Sequence, residues 1–303
     1  MMPLPSPRPF PLTRILLPVL AVLLLSGAAY LGWMANGTQR EIDGFRAAAL
    51  TAAVAAPRSP DTSDAALAAL PPPVQRYLRF AFPDPSAARH VVMRVEMEGQ
   101  FRRPLTESFN PTTAQQMASS ATPALVFDAT TPIMGVLWAR AFDGYVNGRM
   151  EMRAKLLSAV EVVHENEFSS PALNLISLRR WLMESATYPQ ALLPGGHVTW
   201  EAIDEHSARA VARLGEQRIG VIARFSPSGE MLGMEAETDG DLNTPYHGSG
   251  EHVARSDYRL MQGVRVPMAF TFSRAAGGQV HPFWKGRVTR LQFSSPDEVA
   301  AAQ

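Results

Sequence analysis

Cysteine is absent from all 303 residues, and this one absence removes several chemistries. There is no thiol to acylate in a lipoprotein signal, no disulfide framework, no thiolate nucleophile and no cysteine-based zinc site. Excess charge is missing too, since 28 basic residues balance 28 acidic ones. No net field recruits nucleic acid over the whole surface, and no nucleic-acid partner is expected. Lysine is almost missing: Lys155 and Lys285 stand alone among arginines, which with the abundant alanine reads as genomic base composition rather than function. Phosphate-binding glycine loops, Rossmann or Walker spacing and a His-Glu-x-x-His metal motif do not occur, so no cofactor or metal is expected.

The seven histidines, His90, His164, His197, His206, His247, His252 and His281, do not build a catalytic pattern. Glu161 and His164 have the spacing of half a di-iron carboxylate site, but its second half is missing. His247 and His252 flank Gly248-Ser249-Gly250, yet five residues along a strand put them on opposite faces, and Gly-x-Ser-x-Gly is not satisfied. No catalytic residue is assigned, and a hydrolase remains only a second alternative.

What the chain does contain is Ile15 to Met34, an uncharged run long enough at ~1.5 Å per residue to cross the ~30 Å hydrocarbon core as a helix. Residues 1–14 form a leader with Arg8 and Arg14 and no acid, whereas Arg40 on the far side is offset by Glu41 and Asp43. The positive-inside rule then leaves the N-terminus in the cytoplasm and exports the rest. Tyr30 and Trp33 fall at the outer end, where aromatic rings settle at headgroup level. The expected address is the bacterial inner membrane, with a single pass at residues 15–34. Cleavage after the small residues Ser26-Gly27-Ala28 would instead release a secreted or periplasmic protein.

Residues 35–63 read as stalk and linker, with Ile42, Phe45 and Leu50 on one helical face before Pro57-Arg58-Ser59-Pro60 breaks it. The exported domain is expected over 64–293, followed by a flexible tail at 294–303. Two short helices lead in: one capped by Asp64, and one over Val74 to Phe82 with Val74, Tyr77, Leu78, Ala81 and Phe82 as its apolar stripe. From Arg89 the period changes to two, as in Val91, Met93, Val95 and Met97 alternating with charged residues. Asn147-Gly148 predicts a type I′ hairpin turn, with a return strand over Arg149 to Val163. The fold class is mainly β: a curved antiparallel sheet or half-barrel with one helical insertion.

That insertion, Pro171 to Glu184 capped by Ser170, is apolar on more than one side and must be covered around most of its girth. It either plugs the concave face of the sheet as core or forms a lid over an apolar cavity. Trp181, Met183 and Glu184 at its end are candidate ligand contacts, with Glu184 orienting a headgroup or pairing with Arg179 or Arg180. Trp138 and Arg140, on one strand face with Phe142, complete the candidate set, although Arg140 has a structural alternative in pairing with a buried acid.

Five ordered stretches, Leu70-Pro71-Pro72-Pro73-Val74-Gln75-Arg76-Tyr77-Leu78-Arg79, Tyr145-Val146-Asn147-Gly148-Arg149-Met150, Tyr188-Pro189-Gln190-Ala191-Leu192-Leu193-Pro194, Trp200-Glu201-Ala202-Ile203-Asp204 and Gly263-Val264-Arg265-Val266-Pro267, resemble an uncharacterised bacterial family of unknown function. The resemblance spans Leu70 to Phe293 and implies no catalytic residue. A looser similarity of architecture is to half-barrel carriers of lipoproteins and lipids in the bacterial envelope. The leading expectation is an envelope protein binding an apolar or lipid-like ligand under the helix. The alternative is a structural or partner-binding domain without ligand, and the oligomeric state is not legible.

Overall fold

The computed structural model describes residues 13–56, 60–102, 106–162, 168–242 and 250–301, so His164, His247 and the start of the Pro57-Arg58-Ser59-Pro60 break lie outside the described residues. Thirteen strands form one antiparallel sheet: β1 (Val92–Arg102), β2 (Phe109–Ser119), β3 (Ala124–Met134), β4 (Leu137–Val146), β5 (Arg149–Leu156), β6 (Val160–Glu161), β7 (Val198–Ala202), β8 (Ser207–Leu214), β9 (Gln217–Phe225), β10 (Met231–Ala236), β11 (Glu251–Met261), β12 (Val264–Ala276) and β13 (Gln279–Ser294). Their order is β6-β5-β4-β3-β2-β1-β13-β12-β11-β10-β9-β8-β7. Every neighbour follows in sequence except at the centre, where β1 pairs with β13. The sheet curls but does not close, leaving β6 and β7 as its edges.

The long helix α1 (Thr13–Ala55) runs without interruption from the apolar run into the segment read as a stalk. Its first part is exposed on all sides over residues 16–30. Its second part lies on the convex face, where Ala49 and Ala53 pack with Met117, Ala124 and Val126. Ion pairs fix it there: Glu41 holds Lys155 at 3.1 Å and Arg153 at 3.0 Å, and Arg46 holds Asp128 at 3.2 Å. Residues 38–55 are thus part of the folded body, because their apolar stripe has a sheet to cover.

Helix α2 (Asp64–Ala68) is capped by Ser63, and α3 (Pro72–Ala81) starts on its prolines. Val74, Tyr77, Leu78 and Ala81 are buried, as their spacing on one helical face requires. The Asn147-Gly148 turn has φ of 53° and 75°, the left-handed pair that a type I′ turn needs. The expected return strand to Val163 is broken, because Leu157 and Ser158 also take positive φ and reverse the chain into the two-residue β6. The flexible tail expected at 294–303 needs a similar correction. Ser295 and Glu298 form a reciprocal cap, with the Glu298 carboxylate accepting from the Ser295 amide at 2.7 Å, and start helix α5 (Pro296–Ala301). Its Val299 packs in the same cluster as α1.

Candidate functional site

Helix α4 (Pro171–Glu184) begins at Ser170, whose hydroxyl accepts from the Leu173 amide at 3.2 Å. It crosses the concave face between β8–β10 on one side and β4–β5 on the other. Leu178, Trp181 and Leu182 have no exposed surface. The Trp181 indole donates to the Ser119 carbonyl at 2.8 Å, and the Tyr188 hydroxyl donates to the Trp181 carbonyl at 2.5 Å. At one end the sheet's two halves also meet, where Gln217 donates to the Gly148 carbonyl and accepts from the Tyr145 hydroxyl. The helix is a plug for that half of the concavity.

The other half is open. A cavity of about 360 Å³ lies beyond the last turns of α4, within the range of ~300–1,000 Å³ of small-molecule sites. Four wall positions are alanines, Ala129, Ala139, Ala141 and Ala154, and their short side chains leave the room unfilled. Met97, Phe101, Phe270, Phe283 and Trp284 make the remaining walls mostly apolar.

The inner end of this cavity is charged. Arg180 holds Asp143 and Glu184, each at 2.8 Å, and stacks over Phe127 at 4.8 Å. Gln116 donates to the second oxygen of Glu184 at 2.5 Å. Burial works against the Arg180 charge, but the two carboxylates hold its guanidinium above its ordinary value. Burial pushes the Asp143 carboxyl up, with Arg180 opposing. Beside this group, Arg179 pairs with Glu251 at 2.8 Å, and burial raises the Glu251 carboxyl as well.

Arg255 is different. It is 6% exposed, lines the cavity and lies over the rings of Phe270 and Phe272 at 5.8 and 5.1 Å. Its Nε and Nη2 have no hydrogen-bond acceptor among the described residues. Burial pulls this guanidinium below its ordinary value, with Glu184 the leading opposing influence.

The five residues singled out in the sequence divide between the two faces. Met183 and Glu184 line the cavity. Trp181 is sealed in the core above it and holds α4 to the sheet. Trp138 and Arg140 are on the opposite face: Arg140 makes a bidentate pair with Asp128 at 3.2 and 3.0 Å and reaches Gln39 of α1, and Trp138 donates to the Ser158 hydroxyl at 3.1 Å. Strand parity explains the division, because Ala139, Ala141 and Asp143 take the inward positions of β4. Asp143, Gln116, Glu251 and Arg255 were missed as site residues. Period two carries the signal for three of them, with Asp143 inward in β4 and Glu251-x-Val253-x-Arg255 inward in β11.

Neither serine nor histidine lines the cavity among the described residues, and no group of three or more His, Asp or Glu there is placed to hold a metal. A family of unknown function, DUF6920, matches residues 68–293. The chain belongs to that family. The match coincides with the ordered motifs from Leu70 to Phe293. No functionally curated protein matches this DUF6920 chain. Among solved structures, it has a loose likeness of fold to a DUF1329 family protein from Desulfovibrio piger, at 8% identity and TM-score 0.39 over 74% of this chain and 94% of that one. A LolA superfamily protein from Nitrosomonas europaea gives 9% identity and TM-score 0.35 over 74% and 92%. A β-barrel-like DUF1849 protein from Brucella abortus gives 9% and 0.27 over 68% and 99%.

Proposed function

We propose that this DUF6920 protein is a membrane-tethered binding protein of the bacterial envelope that holds an apolar or lipid-like ligand in the concave cavity. The unfilled, mostly apolar cavity inside an otherwise packed core is the observation that carries the reading. Interiors are normally packed to the density of organic crystals, so a void of this size, walled by four alanines, has the form of a binding site. The apolar part of α1 is a membrane span or a signal sequence by length and composition. Retention as an inner-membrane anchor, with the sheet domain outside, is supported by the arginines of the leader and by Tyr30 and Trp33 at the outer end.

Filling the cavity tests the reading. Ala141→Phe places a ring in the void and leaves the residues of the charged cluster unchanged. Native mass spectrometry of the full wild-type chain, released from micelles, is expected to show a co-purifying mass that this variant lacks, with unfolding temperatures matching within a few degrees. A wild-type chain that carries no additional mass and binds no apolar dye would sink the proposal.

A further inference from the structure

We infer that the ligand carries an anionic headgroup, a carboxylate or a phosphate, received by Arg255 at the charged end of the cavity. The inference rests on the cavity being a ligand site. Burying a guanidinium is costly unless its donors are satisfied. Arg180 and Arg179 are satisfied by the three carboxylates of the cluster, Asp143 and Glu184 taken by the first and Glu251 by the second. That leaves Arg255, which lines the cavity, with two buried N–H groups that reach no acceptor among the described residues. The aromatic rings of Phe270 and Phe272 cover its plane, so its edge donors remain for a ligand. The planar fork matches the paired oxygens of a carboxylate or phosphate. At about 360 Å³ the void has room for an apolar chain behind that head.

Displacement of Nile red, an uncharged dye, from the full chain distinguishes the possibilities, with dodecanoate, dodecyl phosphate and 1-dodecanol as competitors and Ala141→Phe as the blank. The two anions are expected to compete at concentrations at least about tenfold lower than the alcohol, and Arg255→Met to abolish that preference. The better of the two anions identifies the head as carboxylate or phosphate. Equal competition by all three would overturn the headgroup while leaving the cavity reading intact. Dye binding that Ala141→Phe does not reduce would overturn both.

A separate observation concerns the hairpin joining β3 and β4. Pro132-Ile133-Met134-Gly135-Val136-Leu137-Trp138 has no charge, and its tip is bare, with Met134 73% and Val136 84% exposed. Contacts along α1 move down β4 toward this tip: Phe45 lies on Gly144, Gln39 meets Arg140, and Thr38 donates to the Ser158 carbonyl at 2.7 Å, next to Trp138. The tip therefore projects the same way as the bare apolar part of α1. Met34, the end of that run, is one turn from Thr38. Pro132, Ile133 and Leu156 also line the cavity, so it opens beside the hairpin. The geometry points to the hairpin dipping into the leaflet that α1 leaves, with Trp138 at headgroup depth, so that ligand enters from the bilayer. This rests on α1 being a retained anchor.

The chain has no cysteine, so a single introduced one gives a unique label. Full-length Val136→Cys, Leu24→Cys and Leu260→Cys, each carrying NBD, would be reconstituted in phosphatidylcholine–phosphatidylglycerol vesicles with nitroxide-labelled lipid. Strong quenching is expected at Leu24 and Val136 but not at Leu260, an exposed residue at the opposite end of the sheet. Quenching at Leu24 without Val136 would overturn the hairpin contact and leave the anchor; quenching at neither would overturn both.

Discussion

Replacing Arg180 with methionine is expected to be the most damaging single change at the site, costing about 3–5 kcal/mol at pH 7. Arg180 is the one direct ionic partner of Asp143 among the described residues, and the Asp143 and Glu184 side chains are each only 6% exposed. Without it, two neighbouring buried carboxylates lose the guanidinium that pairs with both. The sign of the pH dependence follows from Asp143, whose carboxyl burial already raises in the native protein. A raised folded value gives stability that is fully present below the unfolded value of about 3.9 and lost as pH rises through the folded one. The variant's deficit should be small at pH 3 and largest at neutrality. Urea unfolding of the full chain in micelles, followed by tryptophan fluorescence at both pH values, measures this. A deficit that does not change with pH would mean that the cluster is solvated.

Trp181→Ala is expected to cost a similar ~3–5 kcal/mol for a different reason. The indole is fully buried against the ring of Tyr188, and its N–H satisfies the Ser119 carbonyl at the end of β2. Truncation leaves a void and an unpaired acceptor where α4 is held to the sheet. Trp181→Phe retains most of the packing and should cost nearer ~1 kcal/mol for the hydrogen bond. The difference between these variants in the same unfolding assay separates packing from hydrogen bonding. Equal losses would mean that the ring itself contributes little.

Much of the fold was legible because local chemistry and global packing agree. Ser170 and Pro171 start a helix that ends at Glu184, Asn147-Gly148 makes its turn, and alternation gives most strands. The candidate site was legible only in part. Period two puts Trp138 and Arg140 on the same side as Phe142, but which side faces the cavity depends on partners distant in sequence, and α1 took that face. Glu251 and Arg255 stand on β11 after a glycine-rich stretch and carry no motif of their own. Their meaning comes from α4, which carries Arg179, Arg180 and Glu184 to the same end of the cavity from about 70 residues upstream. Pairing with β4 carries β3 on to Met134 and leaves the hairpin tip bare.

The single out-of-order pairing in the sheet has a consequence for how the chain reaches its native state. Val92 of β1 lies against Ser294 of β13, so the central seam closes a loop of about 200 residues. Every other pairing in the sheet joins strands consecutive in sequence, but the sheet itself becomes continuous only when the final strand arrives. Folding should therefore proceed as two meanders that wait for one slow, non-local closure. Loss of β13 would leave bare β1 and β12 edges at the middle of the molecule, where strands from another copy could add. The last strand is in this sense the keystone of the sheet, and the short helix α5 that follows it locks the arriving end against α1.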